Sequence, residues 1–144
     1  MRKTWLVAFL AMASACTALA AAAGVSVSHA WIRLLPGNLP LAAYFDLRNG
    51  DDRALELVGA QSAEFGRIEM HRSMVMRGMD HMMAVSDVRV PAHGQLEFSP
   101  GGYHLMLFDP QRPLSVSEHV TIVLKFADGQ SRPVSFVVKP AATQ

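Results

Sequence analysis

Apolar and polar residues alternate in short segments along most of this chain. Residues 25–31 alternate, residues 42–47 follow a Pro-Gly-Asn break, and residues 54–58 follow a polar turn at residues 49–52. Alternation with a period of two indicates half-buried β-strands, and clusters of Gly, Pro, Asn and Asp indicate the turns between them. Because no later segment has a convincing helical period, the pattern predicts an all-β protein.

Six further strands extend this pattern to the end of the chain. They are predicted around residues 66–71, 81–88, 95–98, 103–108, 119–126 and 133–138. About nine short strands in about 120 residues are typical of two sheets packed face to face. The sequence therefore predicts one β-sandwich domain, which we expect to span residues 24–144.

The start of the chain differs from the rest and is not expected to belong to the domain. Residues 1–3 carry two positive charges, an apolar run follows, and Ala18-Leu19-Ala20 is a small-x-small site. This order is typical of a secretory signal peptide. We predict that residues 1–23 are the signal, cleaved near Ala20 to Ala23, and that the protein is exported to the periplasm.

The alternative to cleavage is a membrane anchor, since no charged side chain occurs between Lys3 and Arg33. The second half of that stretch is mostly alanine and serine, which are weakly apolar for a bilayer span. We therefore expect no stable membrane insertion after cleavage.

Cys16 is the only cysteine and lies in the predicted leader. The mature protein would thus have neither a disulfide nor a thiolate ligand. Lipidation of Cys16 is an alternative, because the preceding residues loosely resemble a lipoprotein box. Ala13 stands where that box usually has leucine, and this disfavours lipidation.

Charge excludes one class of partner. Loss of Arg2 and Lys3 would leave eleven basic against twelve acidic residues, a net charge of about −1 with neutral histidines. The basic residues are scattered singly, without the stripe that binds a phosphate backbone, so no nucleic-acid partner is expected. No serine elbow or His-Glu-x-x-His motif is present, and we expect no enzymatic activity.

Methionine is concentrated in one region: six of the nine lie between Met70 and Met83. The ordered pattern is His71, ten residues, Met82, twenty-one residues, then His104 and Met106. Thioethers are soft ligands and imidazoles are borderline, so this set, which contains no carboxylate, favours Cu(I).

The same spacing occurs in a known family. The pattern resembles the motif of the periplasmic copper chaperones called PCu(A)C, and the flanking residues resemble that family at 30–33, 43–50, 69–71, 100–107 and 112–114. The resemblance implies a cupredoxin-like, Greek-key β-sandwich. It also implies one Cu(I) ion bound by His71, Met82, His104 and Met106.

The resemblance further implies a periplasmic Cu(I) metallochaperone that delivers copper to the copper centre of cytochrome c oxidase. The partner would be the copper-receiving oxidase subunit or a Sco-type protein. An electron-transfer cupredoxin is disfavoured, because such sites need a cysteine thiolate and the sole cysteine is Cys16. The alternative is a sandwich-type interaction module whose Met-rich loop contacts a protein partner. The tail at residues 140–144 lacks the His and Met residues of some members, so no separate Cu(II) site is expected.

The remaining methionines and histidines have separate expectations. Met70 and Met83 are predicted to pack in the core. A hairpin loop around Gly78 would hold three methionines that either guide copper in or contact the partner: Met74, Met76 and Met79. His81 is a candidate accessory ligand. Surface or capping roles are expected for His29, His93 and His119.

Overall fold

The computed structural model describes residues 24–142; the predicted signal peptide and Cys16 lie outside the described residues. The described part contains no helix, and so none that could span a bilayer. Its ten strands are β1 (Val25–Leu34), β2 (Leu41–Asn49), β3 (Leu55–Gln61), β4 (Phe65–Met76), β5 (Met79–Ala84), β6 (Val88–Val90), β7 (Gln95–Phe98), β8 (Tyr103–Pro110), β9 (His119–Phe126) and β10 (Ser131–Pro140).

Hydrogen bonds join the ten strands into one open sheet. The order is β5-β4-β8-β7-β2-β1-β10-β9-β3-β6, and β8 also pairs with β2. Neighbouring strands are antiparallel except for β1 with β10 and β7 with β8. The all-β prediction is confirmed, and the two expected layers are the two halves of this single sheet.

Strand β1 connects the two halves. It pairs with β2 along most of its length and with β10 from Trp31 onward. A bulge lies between Ser28 and Trp31, and His29 within it has a φ of 50°. Because a bulge bends a strand and increases its twist, one strand can serve both layers.

The core lies between the two halves and draws on both. Alternate residues of β8 and β9 are fully buried, among them Leu105, Leu107 and Ile122. The Phe45 ring of β2 stacks on Phe98 at a centroid distance of 4.3 Å and meets the edge of a β10 phenylalanine, Phe136, at 5.7 Å. The inward residues of both halves thus form one continuous apolar cluster, as in a sandwich.

One predicted strand is two in the structure. The segment 81–88 was expected to be continuous, but β5 ends at Ala84 and β6 begins at Val88. The interruption at Ser86-Asp87 lets β5 pair with β4 while β6 pairs with β3 at the opposite edge of the sheet. The number of strands is therefore ten rather than about nine.

Candidate metal centre

The predicted ligands lie on three adjacent strands, β5, β4 and β8. His71 of β4 is directly opposite His104 of β8, and Met82 of β5 is opposite Ser73 of β4. Met106 of β8 is opposite Glu69 of β4. Paired residues share a face of the sheet, and so do residues two apart in one strand. All four predicted ligands therefore lie on the same face, which is opposite the core.

The two histidines form the centre of this arrangement. Their ring centroids are 5.9 Å apart and the rings are tilted by 49°. His104 is only 3% exposed, and the side chain of His71 is 15% exposed. His104 lies on the face of the sheet opposite the core, yet it is almost fully buried. Neighbouring side chains cover it.

Each imidazole is oriented by one hydrogen bond. His71 Nε2 donates to Glu69 Oε2 at 3.0 Å, and His104 Nδ1 donates to the carbonyl oxygen of Gly102 at 3.1 Å. Since an ionised carboxylate and a carbonyl can only accept, these bonds place the proton of each neutral ring on the bonded nitrogen. The lone pairs are consequently on His71 Nδ1 and His104 Nε2.

Those two lone-pair nitrogens are buried and have no hydrogen-bond partner among the described residues. Buried polar atoms are nearly always satisfied, so an exception calls for an explanation such as strain, a functional role, or a bound water or ion. A histidine that ligates a metal typically donates its other N–H to a carboxylate or a backbone carbonyl. His71 and His104 show both features, and their chemistry fits a metal ion.

Electrostatics keep the buried imidazole neutral. Burial lowers the pKa of His104, the hydrogen bond to Gly102 opposes this shift, and repulsion from His71 in its protonated form adds to it. The pKa of Glu69 is lowered mainly by its hydrogen bond to His71, and Arg67 contributes through an ion pair of 3.2 Å. Glu69 therefore remains an acceptor for the His71 N–H at neutral pH.

The two thioethers flank the histidine pair from diagonally opposite sides. Met106 is half-buried on β8, two residues beyond His104 and opposite Ala42 of β2. Met82 is 55% exposed on the edge strand β5. Each lies about 7 Å along the strand direction from the level of the histidines. His71, His104 and Met106 therefore occupy neighbouring positions on β4 and β8. Met82 lies on the exposed strand β5 of the hairpin.

Two aromatic rings, Trp31 and Tyr44, border the site on the β2 side, and we call them the aromatic wall. The Tyr44 ring lies 6.3 Å from the His104 ring, and Trp31 lies 4.7 Å from Tyr44. The Arg33 guanidinium is 5.2 Å from the centre of the Tyr44 ring. Burial raises the pKa of Tyr44, with an opposing effect from Arg33, so its hydroxyl stays protonated. This wall excludes water from one side of His104.

Sequence reasoning missed Glu69 and the aromatic wall. Glu69 could have been found, because it lies two residues before His71 and must share its face in a strand. Trp31 and Tyr44 are far from the motif in sequence, and only the pairing of β8 with β2 brings them to it.

The other histidines have local partners away from the site. The expectation of surface roles is confirmed, since their polar contacts are His29 with Asp46 at 2.6 Å, His93 with Asp52 at 2.7 Å and His119 with Ser135 at 3.0 Å. Within residues 24–142 no three His, Cys, Asp or Glu side chains are arranged to hold a metal.

The methionine expectations are met in part. Met70 is buried in the core as predicted, whereas Met83 is 49% exposed, so its predicted core position is wrong. Met83 does point away from the proposed ligands, but β5 is an edge strand that extends beyond the core. The expected loop around Gly78 is only the two-residue turn Arg77-Gly78, and its three methionines are strand residues.

A family model and a relative with the same kind of description match this chain. The family model described as "Putative lipoprotein LpqE-like" matches residues 25–138. "Putative lipoprotein Lxx21020" of Leifsonia xyli subsp. xyli is 35% identical over 117 residues, which are 81% of this chain and 70% of that protein.

Solved structures match over most of the described residues. Apo-DR1885 of Deinococcus radiodurans has a TM-score of 0.63 at 34% identity, covering 97% of this chain and 94% of that one. The CuI form of DR1885 has a TM-score of 0.61 at 34% identity, with coverages of 81% and 75%. The copper-bound PCuAC domain of PmoF2 has a TM-score of 0.68 at 23% identity, with coverages of 83% and 96%, which is a likeness of fold alone. The predicted cupredoxin-like fold is thereby confirmed.

Proposed function

Since this chain belongs to the LpqE-like family, which is of the PCuAC type, we propose that it is an exported chaperone for Cu(I). The ion would be bound by His71, Met82, His104 and Met106. The observation that carries the proposal is the pair of buried, unpartnered nitrogens, Nδ1 of His71 and Nε2 of His104, among the described residues. Both lie on the face that also carries the two thioethers.

The identity of the metal is supported by the donors and by a relative. Two neutral imidazoles and two neutral thioethers suit soft Cu(I), whereas Zn(II) favours thiolate, imidazole and carboxylate. DR1885, which is 34% identical to this chain, has been solved as a CuI form. We therefore expect one tightly bound Cu(I), with much weaker binding of Zn(II) and Cu(II).

Transfer to a partner is supported by the unequal exposure of the ligands. A deeply buried histidine and an exposed methionine belong to the same proposed site. A partner can displace the exposed Met82 first while the buried ligands still hold the ion. Stepwise replacement of neutral ligands by a partner's thiolates then removes the copper.

The family supports a proposal for the cellular role. We propose that residues 1–23 are a signal peptide, that residues 24–144 form the chaperone domain, and that the protein acts in the periplasm. The lipoprotein names of the family and of its Leifsonia relative support export to the envelope. The proposed recipient is the copper centre of cytochrome c oxidase, reached directly or with a Sco-type protein. The role is one of binding and transfer rather than catalysis.

The second candidate function is an interaction module. The β4–β5 hairpin exposes several large apolar side chains, including Val75, Met76 and Met79, and such patches commonly bind proteins. This function requires no metal. A metal titration therefore separates the two candidates.

The test is anaerobic titration of the purified protein with Cu(I) in competition with a chromophoric chelator. We expect one tight equivalent, and we expect its loss in the His104→Leu/Met106→Leu variant. A matched control, His119→Leu/Met70→Leu, removes one histidine and one methionine outside the site and should bind as the parent does. If the site variant competes with the chelator as well as the control does, the ligand assignment is wrong.

A further inference from the structure

The β4–β5 hairpin has a second face, opposite the proposed copper site. On that face Met74 is paired with His81, and Met76 is paired with Met79. We call these four residues the distal methionine cluster. They alternate with Ser73, Val75, Asp80 and Met82, which lie on the face of the proposed copper site.

The turn fixes this pairing. Arg77 and Gly78 have φ values of 52° and 76°, as expected for a two-residue turn with positive φ at both positions. Met76 and Met79 immediately flank the turn, and directly opposite residues have Cβ atoms about 5 Å apart. Three thioethers and one imidazole therefore form two successive cross-strand pairs on one face.

The cluster is accessible. Met76 is 51% exposed and Met79 is 60% exposed, and His81 is also exposed. On the same face the hairpin continues from the core residue Met70. Strand β5 is at the edge of the sheet, and no other strand of residues 24–142 pairs with its outer side. Long unbranched thioethers have enough freedom to converge on a small ion from these positions.

The residue types favour a metal over a simple apolar contact. A protein-docking patch requires apolar area of any kind, such as leucine, valine or phenylalanine. Here each apolar position on this face of the hairpin strands beyond Met70 is a methionine: Met74, Met76, Met79 and Met83. The hairpin carboxylate Asp80 lies on the other face, opposite Val75, so the donors on this face are three soft thioethers and one borderline imidazole.

We propose that the distal methionine cluster is a second, weaker Cu(I) site. This site uses none of the four ligands of the proposed copper centre, and it lies on the opposite face of the hairpin. It is weaker because its side chains are exposed and must be ordered on binding, and because the Arg77 charge lies in the adjacent turn. We expect its affinity for Cu(I) to be at least about tenfold below that of the first site.

The experiment is an anaerobic Cu(I) titration of the protein with ¹³C-methyl-labelled methionine, followed by NMR. The first equivalent should shift the Met82 and Met106 methyl signals, and the second should shift those of Met74, Met76 and Met79. The Met74→Leu/Met76→Leu/Met79→Leu variant should keep the first equivalent and lose the second. The His104→Leu/Met106→Leu variant should lose the first and still shift the hairpin signals.

Two results would overturn the second site. One is a second equivalent that leaves the hairpin methyl signals unchanged, which would make the exposed methionines a protein-contact surface. The other is a triple variant that binds two equivalents as the parent does, with unchanged amide signals outside the hairpin confirming its fold. If the His104→Leu/Met106→Leu variant still binds the tight equivalent, the proposed copper centre is wrong. The triple variant then still tests the distal methionine cluster, because that variant changes only the hairpin.

Discussion

Strands β8 and β5 both contribute to the proposed copper site, yet their environments are opposite. On β8, His104 alternates with core residues such as Leu105, and hydrogen-bonded strands lie on both sides. On β5, all six residues are exposed, and the strand forms the edge of the sheet. In the proposed chaperone, the buried half would hold the ion, and the open half would be the part that a partner reaches. A permanent cofactor would benefit from enclosure on both sides, whereas a cargo ion must also leave.

The buried half should dominate the affinity. His104→Leu removes a ligand that is already oriented by the Gly102 carbonyl, so we expect Cu(I) affinity to fall by more than about 100-fold, which exceeds the usual effect of an outer-shell change. Chelator competition measures the loss. An affinity within about threefold of the parent would remove the distinction between the two halves.

The exposed half should matter less for stability than for binding. Met82→Leu should change the free energy of unfolding by less than about 0.5 kcal/mol, because the side chain is more than half exposed. We expect Cu(I) affinity to fall about tenfold or more, since a thioether ligand is lost. Chemical denaturation and chelator competition on the same preparation give both values. Parent-like affinity in this variant would exclude Met82 from the ligand set.

Glu69 should act through His71 as a positioning residue. Glu69→Leu removes the acceptor for the His71 N–H, and we expect about a tenfold loss of Cu(I) affinity, at the lower end of outer-shell effects. Glu69→Gln keeps an acceptor oxygen and should lose less. ¹⁵N shifts of the imidazole should show a mixture of tautomers at His71 in the leucine variant only. Identical tautomers in both variants would mean that Glu69 does not orient the ring.

The smallest expected effect is on the stability of the metal-free protein. Because the pKa of His104 is lowered from 6.5 by burial, the unfolded chain binds a proton more readily than the folded chain does. The free energy of unfolding should therefore fall as the pH decreases from about 6.5 to the lower folded pKa of His104, and level off below it. Urea unfolding of the parent and of His104→Leu, measured at several pH values in this range, tests this dependence. If the free energy of unfolding changes equally with pH in both proteins, groups other than His104 cause the change.

Of the two methionines predicted to pack in the core, Met70 does and Met83 does not. Alternate side chains of a strand point to opposite faces, and this parity accounts for His104 and Met106 on one face of β8 and Leu105 on the other. The same parity put Met83 on the inward side, but alternation does not show where a hairpin passes the edge of the core.

Long-range pairing explains what the sequence could not predict. The bulge in β1 includes a positive φ at His29, which the alternation of apolar and polar residues does not indicate, so the single sheet was not evident from the pattern. Trp31 and Tyr44 join the site only through the pairing of β1, β2 and β8. The ligand spacing, in contrast, is local to two hairpin strands and one further strand, and it was accessible to sequence reasoning.

The nitrogen atoms of the two histidines provide the decisive test of the copper site. ¹⁵N NMR of the imidazoles should be recorded before and after one equivalent of Cu(I) under anaerobic conditions. The shifts should occur at Nδ1 of His71 and Nε2 of His104. The nitrogens that donate hydrogen bonds to Glu69 and Gly102, which are His71 Nε2 and His104 Nδ1, should keep their protons. Shifts at the opposite nitrogens, or at His29, His93 or His119 instead, would contradict the proposed site.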